Sequence, residues 1–306
     1  MTQRLLYFLV PGTHISPFDV TIAADAGFDQ VIPLTGVKPE DVPGLVQDAI
    51  FCRPPGRFND TGIFIGGRDV HLATDMFLAA KNAMVGEFRV GLFADPNGAY
   101  TTSASVVARV EDALRLRTGD GLAGRRVAVF GTGPVGLCTA VLAALQGGQV
   151  TLCQLTASRH ERAARRFCER YEVDVGWASA DTAGAKRGLL EGLEVALCTA
   201  RAGVRVLDRE ILDGARALLV AADVNAVPPS GIEGVEAHDD AIPRELTGGT
   251  VTALGALAIG RLKYRTQFGL YRLIQTAPAP ALLDFPQAFA FARDELARGQ
   301  REVCAA

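Results

Sequence analysis

No two of the six cysteines are spaced as C-x-x-C, and several lie inside apolar runs. That spacing gives no zinc or redox motif, and free cysteine most often serves as a small buried hydrophobe. The expectation is reduced, buried thiols in a cytoplasmic protein. The four histidines, His14, His71, His160 and His238, show no ligand spacing, so no metal is expected. Positive charge is not in excess. The formal net charge is -3, with no sign of the basic face that nucleic-acid binding requires. No apolar run reaches the roughly 20 residues that a bilayer span needs. The longest uncharged stretch, Val127 to Ser158, is broken by Gly131, Gly133, Pro134 and Gly147-Gly148. The early run "LLYFLV" is too short for a signal-peptide core, and no small-residue cleavage site follows it. There is also no internal repeat, no low-complexity tract and no obvious acid–base constellation.

What is present is a chain of 306 residues, 49% apolar and 21% charged, long enough for two ordinary cores. Its first hundred residues alternate between strand and helix patterns. "LLYFLV", "QVIPLTG", "TGIFIGG" and "FRVGLFADPNG" read as strands. "SPFDVTIAADAG" reads as a helix with Ser16 at the N-cap, Pro17 at the first helical position and Gly27 at the stop. "KPEDVPGLVQDAI" reads as a helix with an acidic first turn. "RDVHLATDMFLAAKNAM" places Val70, Ala73, Phe77 and Ala80 at helical spacing. Such alternation predicts a parallel sheet covered by helices. A long helix follows over Tyr100 to Arg117, then the glycine-rich connector "TGDGLAGRR". A second β/α set has the strands "VAVF", "QVTLCQL", "VDVGWA", "EVALCTA" and "ALLVAADV". Helical patterns from about Gly255 to Gln275 and from Asp284 to Arg298 close the chain, and they are expected to pack back on the first set.

Gly131, Gly133 and Gly136 form G-x-G-x-x-G within "VAVFGTGPVGLCTA". The first glycine allows a tight turn, the second lets backbone approach a pyrophosphate, and the third lets helix pack on strand. The helix N-terminus then faces the phosphates. The string alone is common in a chain with 33 glycines, and a turn without a ligand is the alternative. Its context is specific: it follows an apolar strand, opens an apolar helix and meets a second strand at the expected distance. Gly131, Thr132, Gly133, Pro134, Val135 and Gly136 are therefore candidate cofactor residues. At the end of the second strand an NAD site would place Asp or Glu to hold the ribose 2′-hydroxyl. This chain has Gln154 there, followed by Leu155, Thr156, Ala157, Ser158 and Arg159. No carboxylate repels a 2′-phosphate, and Thr156, Ser158 and Arg159 are suited to bind one. The competing reading makes Arg159 a solvated residue opening a basic helix. The expected cofactor is NADP, with NAD also accepted.

The segments "DTGIFIGGRD", "FADPNGAYTT", "VFGTGPVGL", "ADVNAVPPSGIEGV" and "ALGALAIGRLKYR" resemble bacterial methylene-tetrahydromethanopterin dehydrogenases, the NAD(P)-dependent enzymes of methylotrophic one-carbon metabolism. The likeness runs in order through nearly the whole chain. "SPFDV" and "VQDAIF" look most like the branch that accepts both NAD and NADP. The resemblance implies an α/β fold of two domains with a cleft between them. A Rossmann-like dinucleotide-binding domain (118–254) would be inserted into an α/β pterin-binding domain (1–117, completed by helices in 255–306). It implies a tetrahydromethanopterin-type substrate and a homo-oligomer, for which the apolar segment "FPQAFAFARDEL" offers a surface. The bifunctional methylene-tetrahydrofolate dehydrogenases share this layout but carry Tyr-x-x-x-Lys. None of Tyr7, Tyr100, Tyr171, Tyr264 and Tyr271 is followed by Lys four residues later, which weakens a cyclohydrolase side activity.

The implied reaction moves one hydride from the methylene bridge to the nicotinamide, leaving a methenyl cation stabilised by two nitrogens. No proton leaves in that step, so the missing acid–base constellation fits it, and the protein's task is to position donor and acceptor. The family's lysine corresponds to Lys263 in "IGRLKYR", read as catalytic and substrate-binding, against a solvated helix face as the alternative. Asp19, Asn97, Thr101 and Thr102 are candidate substrate residues, with first-turn, turn and cap roles as the alternatives. In the second set Cys198, Thr199 and Ala200 end one strand, while Asp223 and Asn225 follow another. Ligands in open α/β sheets bind beyond the carboxyl ends of strands, so both groups are expected near the cofactor. Methylene-tetrahydrofolate as substrate, and a catalytically silent NADP-binding regulator on the same scaffold, remain the alternatives.

Overall fold

A computed structural model describes residues 3–155, 161–246 and 248–305. By contact density the chain forms two compact units, one of residues 1–101 and 263–295, the other of 102–262 and 296–306. The elements of the first run are β1 (Leu5–Val10), α1 (Pro17–Asp25), β2 (Gln30–Thr35), α2 (Val42–Phe51), β3 (Thr61–Ile65), α3 (Val70–Asn82), β4 (Gly91–Ala94) and α4 (Ala99–Thr118). The second run holds β5 (Arg126–Phe130), α5 (Pro134–Leu145), β6 (Gln149–Gln154), α6 (Glu161–Arg170), β7 (Gly176–Ser179), α7 (Ala183–Leu190), β8 (Val195–Cys198), α8 (Arg209–Leu212), β9 (Val220–Asp223), β10 (Asp240–Glu245) and β11 (Thr250–Leu254). α9 (Ala256–Thr276), β12 (Leu282–Leu283) and α10 (Phe285–Ala305) close the chain.

The first unit contains a sheet ordered β12-β4-β3-β1-β2, parallel throughout. β3 and β4 are buried at every position, as central strands covered on both faces must be. Pro33 cannot donate to a ladder, and it sits on the edge strand β2 where that costs least. α1 begins as expected: the Ser16 hydroxyl accepts from the Asp19 amide at 3.4 Å, with Pro17 in the first turn. Gly27, just past the helix, has a φ of 103° that suits glycine. Val70, Ala73, Phe77 and Ala80 all lie on the buried face of α3. The acidic first turn expected of α2 is not there. The helix starts at Val42, and Asp41 lies before it, accepting from the Lys38 amide at 3.0 Å.

α9 packs on this sheet because two facing glycines make room for it. Gly62 of β3 pairs with Gly91 of β4. A Cβ on Gly91 would lie 2.6 Å from both the Cβ and the carbonyl oxygen of Ile274 in α9. Beside them Tyr271 of α9 meets Phe64 and Phe93, with ring centroids 5.3 and 5.2 Å apart. In α10, Phe285, Ala288, Phe289 and Ala292 are buried within the chain, while Ala290 of the segment "FPQAFAFARDEL" is exposed and Phe291 half-buried. Of the cysteines, Cys138, Cys153, Cys168 and Cys198 are buried thiols, but Cys52 is exposed, an exception to the buried reading.

The second unit contains a sheet ordered β10-β11-β9-β8-β5-β6-β7. It is parallel apart from the antiparallel β10–β11 pair. The five strands expected from the sequence are present, while β10 and β11 went unread. β10 is "DAIPRE", whose interior Pro243 and sparse apolar residues suit an edge strand and obscure it in a pattern reading. Among the described residues no helix is long and apolar enough to cross a membrane.

The close approach of α9 to β4 gives a direct test. Gly91→Ala should destabilise the fold by roughly 2–3 kcal/mol, since the added methyl meets a backbone carbonyl that cannot move aside. Denaturant unfolding measures this, and an unchanged midpoint would mean that α9 does not bear on β4 as described.

Candidate active site

In the first unit the carboxyl ends of β1, β3 and β4 open onto a cavity of about 640 Å³, whose walls include Val10, Thr13, His14, Asp19, Arg68 and Asn97. Asn97 sits in the left-handed region at φ 52°, which Asn tolerates better than most residues. Asp19, in the first turn of α1, is only 3% exposed. Its Oδ1 accepts from Gln267 Nε2 at 2.6 Å. Gln267 Oε1 in turn accepts from the Lys263 ammonium at 2.5 Å. The Nζ also lies 3.7 Å from the centre of the Phe18 ring, a cation–π contact. Lys263 and Gln267 stand four residues apart on α9 and so share one face of it.

Burial disfavours charge on each of these groups. It raises the Asp19 pKa to about 6, with the neighbouring Asp95 carboxylate adding to the rise and the Gln267 hydrogen bond and Lys263 opposing it. It lowers that of Lys263, which Asp95 and Asp19 partly restore. Asp95 is fully buried and also raised by burial, yet it accepts from the Tyr100 and Thr101 amides at 2.8 and 3.1 Å and from the Thr101 hydroxyl at 2.5 Å. Thr101 is therefore turned inward as a clamp on Asp95. Thr102 follows it, half-buried. Of the residues singled out in this part of the sequence, Asp19 and Lys263 are brought together, and Asn97 shares a cavity with Asp19. Gln267 and Asp95, which hold the cluster together, were missed. Gln267 lies one helical turn after Lys263, the one sequence signal that pointed to it.

The second unit carries the glycine turn between β5 and α5. A Cβ on Gly131, at φ +122°, would meet the Thr199 carbonyl at 2.9 Å, and one on Gly136 would fall 1.9 Å from the Gly131 oxygen. Gly133, at the N-cap of α5, has open space where its Cβ would project. Two glycines are thus required by packing, while the third leaves backbone bare at a helix N-terminus, as a pyrophosphate requires. This cradle fits a dinucleotide. Thr132 and Val135 flank these glycines, and Pro134 occupies the first turn of α5. The Thr199 amide donates to the Phe130 carbonyl at 2.9 Å, and its hydroxyl reaches the Phe130 and Gly131 carbonyls at 3.2 and 3.3 Å. Thr199 and the adjoining Ala200 therefore brace the turn from behind.

Cys198 and Asp223 play a different part. Burial pushes the Cys198 thiol up to about 12, so it stays protonated. Asp223 accepts from the Asn225, Gly231 and Ile232 amides at 3.0, 2.6 and 3.1 Å. Asn225 donates to the Pro229 carbonyl at 3.0 Å and accepts from the Val227 amide at 2.9 Å. Both side chains shape the loop after β9. At the end of β6, Gln154 Oε1 accepts from the Trp177 indole at 3.2 Å. Thr156, Ser158 and Arg159, the expected 2′-phosphate ligands, lie outside the described residues.

A glycine cradle at the carboxyl edge of a parallel sheet, in a chain with a second α/β unit that has its own cavity, defines a Rossmann-type dinucleotide-binding protein. NAD-dependent malic enzyme from Thermotoga maritima shares the fold at a TM-score of 0.55 and 13% identity, over 95% of this chain and 84% of that one. Shikimate 5-dehydrogenase from Listeria monocytogenes does so at 0.52 and 13%, over 96% of each chain. The family described as "Methylene-tetrahydromethanopterin dehydrogenase, N-terminal" matches residues 17–97. The curated NAD(P)-dependent methylenetetrahydromethanopterin dehydrogenase of Methylorubrum extorquens is 42% identical over 95% of this chain and 98% of its own length. The "Bifunctional protein MdtA" of the same organism is 32% identical over 87% of this chain and 90% of its own. The chain belongs to the methylene-tetrahydromethanopterin dehydrogenase family.

The two glycine environments call for opposite outcomes. Gly133→Ala should leave the thermal midpoint unchanged and weaken dinucleotide binding at least about tenfold, since its methyl enters only the phosphate space. Gly136→Ala should destabilise the protein itself, by roughly 1–3 kcal/mol. Calorimetric titration with NADP beside thermal unfolding separates them, and an unaffected affinity in Gly133→Ala would put the phosphates elsewhere.

The Asp19 carboxyl gives a pH signature. Its pKa rises from 3.8 to about 6 on folding, so its contribution to stability is fully present below about pH 3.8 and lost as pH rises through about 6. Asp19→Asn should flatten the thermal midpoint's pH dependence across that window relative to the unaltered protein. Parallel slopes for the two proteins would contradict the burial of an ionisable Asp19.

Proposed function

We propose that this protein oxidises methylene-tetrahydromethanopterin to its methenyl form with NADP, and also NAD, as direct hydride acceptor in formaldehyde oxidation. The observation that carries this reading is the Asp19–Gln267–Lys263 chain, which ends at the wall of the first unit's cavity inside a family named for that reaction. The dinucleotide, when bound, supplies the hydride-accepting ring. The remaining work belongs to the chain: the Gly131–Gly136 turn holds the phosphates, and the cavity holds the pterin. Asp19, Asn97 and Lys263 are the residues we assign to the pterin.

The charge balance explains why a lysine is compatible with a reaction that creates a cation. A bare ammonium would oppose that charge. Here Lys263 is attracted by two carboxylates, Asp95 and Asp19, and donates to a neutral amide. Asp19, ionised above about pH 6, faces the cavity and favours positive charge there. Lys263 holds Gln267, and Gln267 holds Asp19. A homo-oligomeric state and a cytoplasmic location belong to the same proposal, on the strength of the family resemblance.

An absorbance assay at the reduced-nicotinamide band, run with both methylene-pterins and both dinucleotides, tests the reading. Turnover with the methanopterin substrate supports it. Turnover only with methylene-tetrahydrofolate, or none with either while NADP still binds, would contradict it. Within that assay Lys263→Met should cut kcat roughly tenfold to a hundredfold, the scale of one charge-assisted contact near the reacting end. NADP affinity should stay within about twofold, since Lys263 lies in the unit that lacks the glycine turn. Unchanged kcat and KM would remove Lys263 from the site.

A further inference from the structure

We propose that Trp177 tunes the NADP-over-NAD preference of this chain by locking the side-chain amide of Gln154 in one orientation. The inference rests on the dinucleotide use proposed above and adds a residue outside the glycine turn.

Gln154 is the last residue of β6, where an NAD-selective site would hold a carboxylate to accept from the ribose 2′-hydroxyl. An amide can face a ligand with either end. Its oxygen would mimic that carboxylate, whereas its nitrogen would offer two hydrogens instead. The choice is made by the neighbouring strand. β6 and β7 are parallel, with Leu152 opposite Trp177 and Gln154 opposite Ser179. Side chains alternate along a strand, so Leu152, Gln154 and Trp177 share one face, and Trp177 is the diagonal neighbour of Gln154. The indole nitrogen lies 3.2 Å from Gln154 Oε1. An indole N–H can only donate, so the amide end beside it has to be the oxygen. Nε2 is thereby the end directed away from Trp177.

The chemical consequence is a preference. A 2′-phosphate is a strong acceptor and suits the amide hydrogens, with no carboxylate at this position to repel it. A 2′-hydroxyl can still accept from Nε2, but it loses the acceptor to which it would donate. NADP is favoured, and NAD is tolerated. Without the indole the amide is released to turn its oxygen outward, and the penalty on NAD falls. Trp177 is thus a positioning residue, acting through Gln154.

Trp177 is the only tryptophan in the chain, so its emission reports on this corner. Titration with 2′,5′-ADP should change that emission, whereas nicotinamide mononucleotide should not. The reverse pattern would place the adenosine elsewhere and overturn the proposal. Calorimetric titration of the Trp177→Phe protein with NADP and NAD should show the ratio of the two affinities reduced about fivefold, the scale of one ordinary hydrogen bond. Because a ring persists at that position, a loss shared equally by both dinucleotides would mark a merely structural role and contradict the proposal. In a Gln154→Leu background the same substitution should alter the ratio less than about twofold. A full fivefold effect there would show that Trp177 does not act through Gln154. None of these titrations contains pterin. Hydride transfer could therefore be absent, sinking the proposed reaction, while the dinucleotide ratio still decided the part of Trp177.

Discussion

A buried lysine is the residue around which the first unit's polar cluster is built. Lys263 is 9% exposed, lies against the Phe18 ring and is attracted by the Asp95 and Asp19 carboxylates. An uncompensated charge there would be expelled or neutralised, because desolvation of a single ion costs several kcal/mol. The surrounding structure supplies the compensation from three stretches of chain. Asp19 comes from the first turn of α1, Asp95 from the end of β4, and Gln267 from the next turn of α9. Asp95 is itself restrained by the start of α4, whose amides at Tyr100 and Thr101 donate to it. Removing any one member leaves another polar group buried and unmatched, so the cluster ties the N-terminal elements to a helix that arrives more than 240 residues later.

The second unit rests on a constraint of space and not of charge. Gly131 and Gly136 have no room for a side chain, because the strand and helix they join approach to backbone contact and Thr199 presses on both. That approach leaves Gly133 at the open mouth of α5. Around the turn, groups that look reactive in sequence are committed to structure: Cys198 stays a thiol, and Asp223 and Asn225 hold the loop after β9. The site is therefore simple. Among the described residues, the groups we assign to a dinucleotide are backbone, the Gln154 amide and the carboxyl edge of the sheet.

These differences decided what could be read from sequence. The glycine turn, the cap at Ser16, the buried face of α3 and the buried strand β3 were legible because their causes are local: a φ value, a hydroxyl three residues from an amide, a helical period, an unbroken apolar run. The Lys263 cluster was half legible. Asp19 and Lys263 came from resemblance, but Gln267 joins them through contacts 4 and 248 residues apart, and no periodicity encodes the longer one. Trp177 was invisible for the same reason, since only strand register sets it diagonal to Gln154. The β10–β11 pair escaped because Pro243 and the bulge between Asp240 and Ile242 break its alternation. The acidic start read into α2 failed by a single turn: Asp41 precedes the helix and serves the loop before it.

At the centre of this account is the proposed reaction, which needs position and charge balance but no base. Its most direct test is isotopic. Methylene-tetrahydromethanopterin deuterated at the methylene carbon, turned over with NADP in ordinary water, should deliver its deuterium intact to the reduced nicotinamide, and the converse experiment in D₂O should deliver none. Label lost to solvent, or acquired from it, would require a proton-transferring group in the transfer step and would contradict the account.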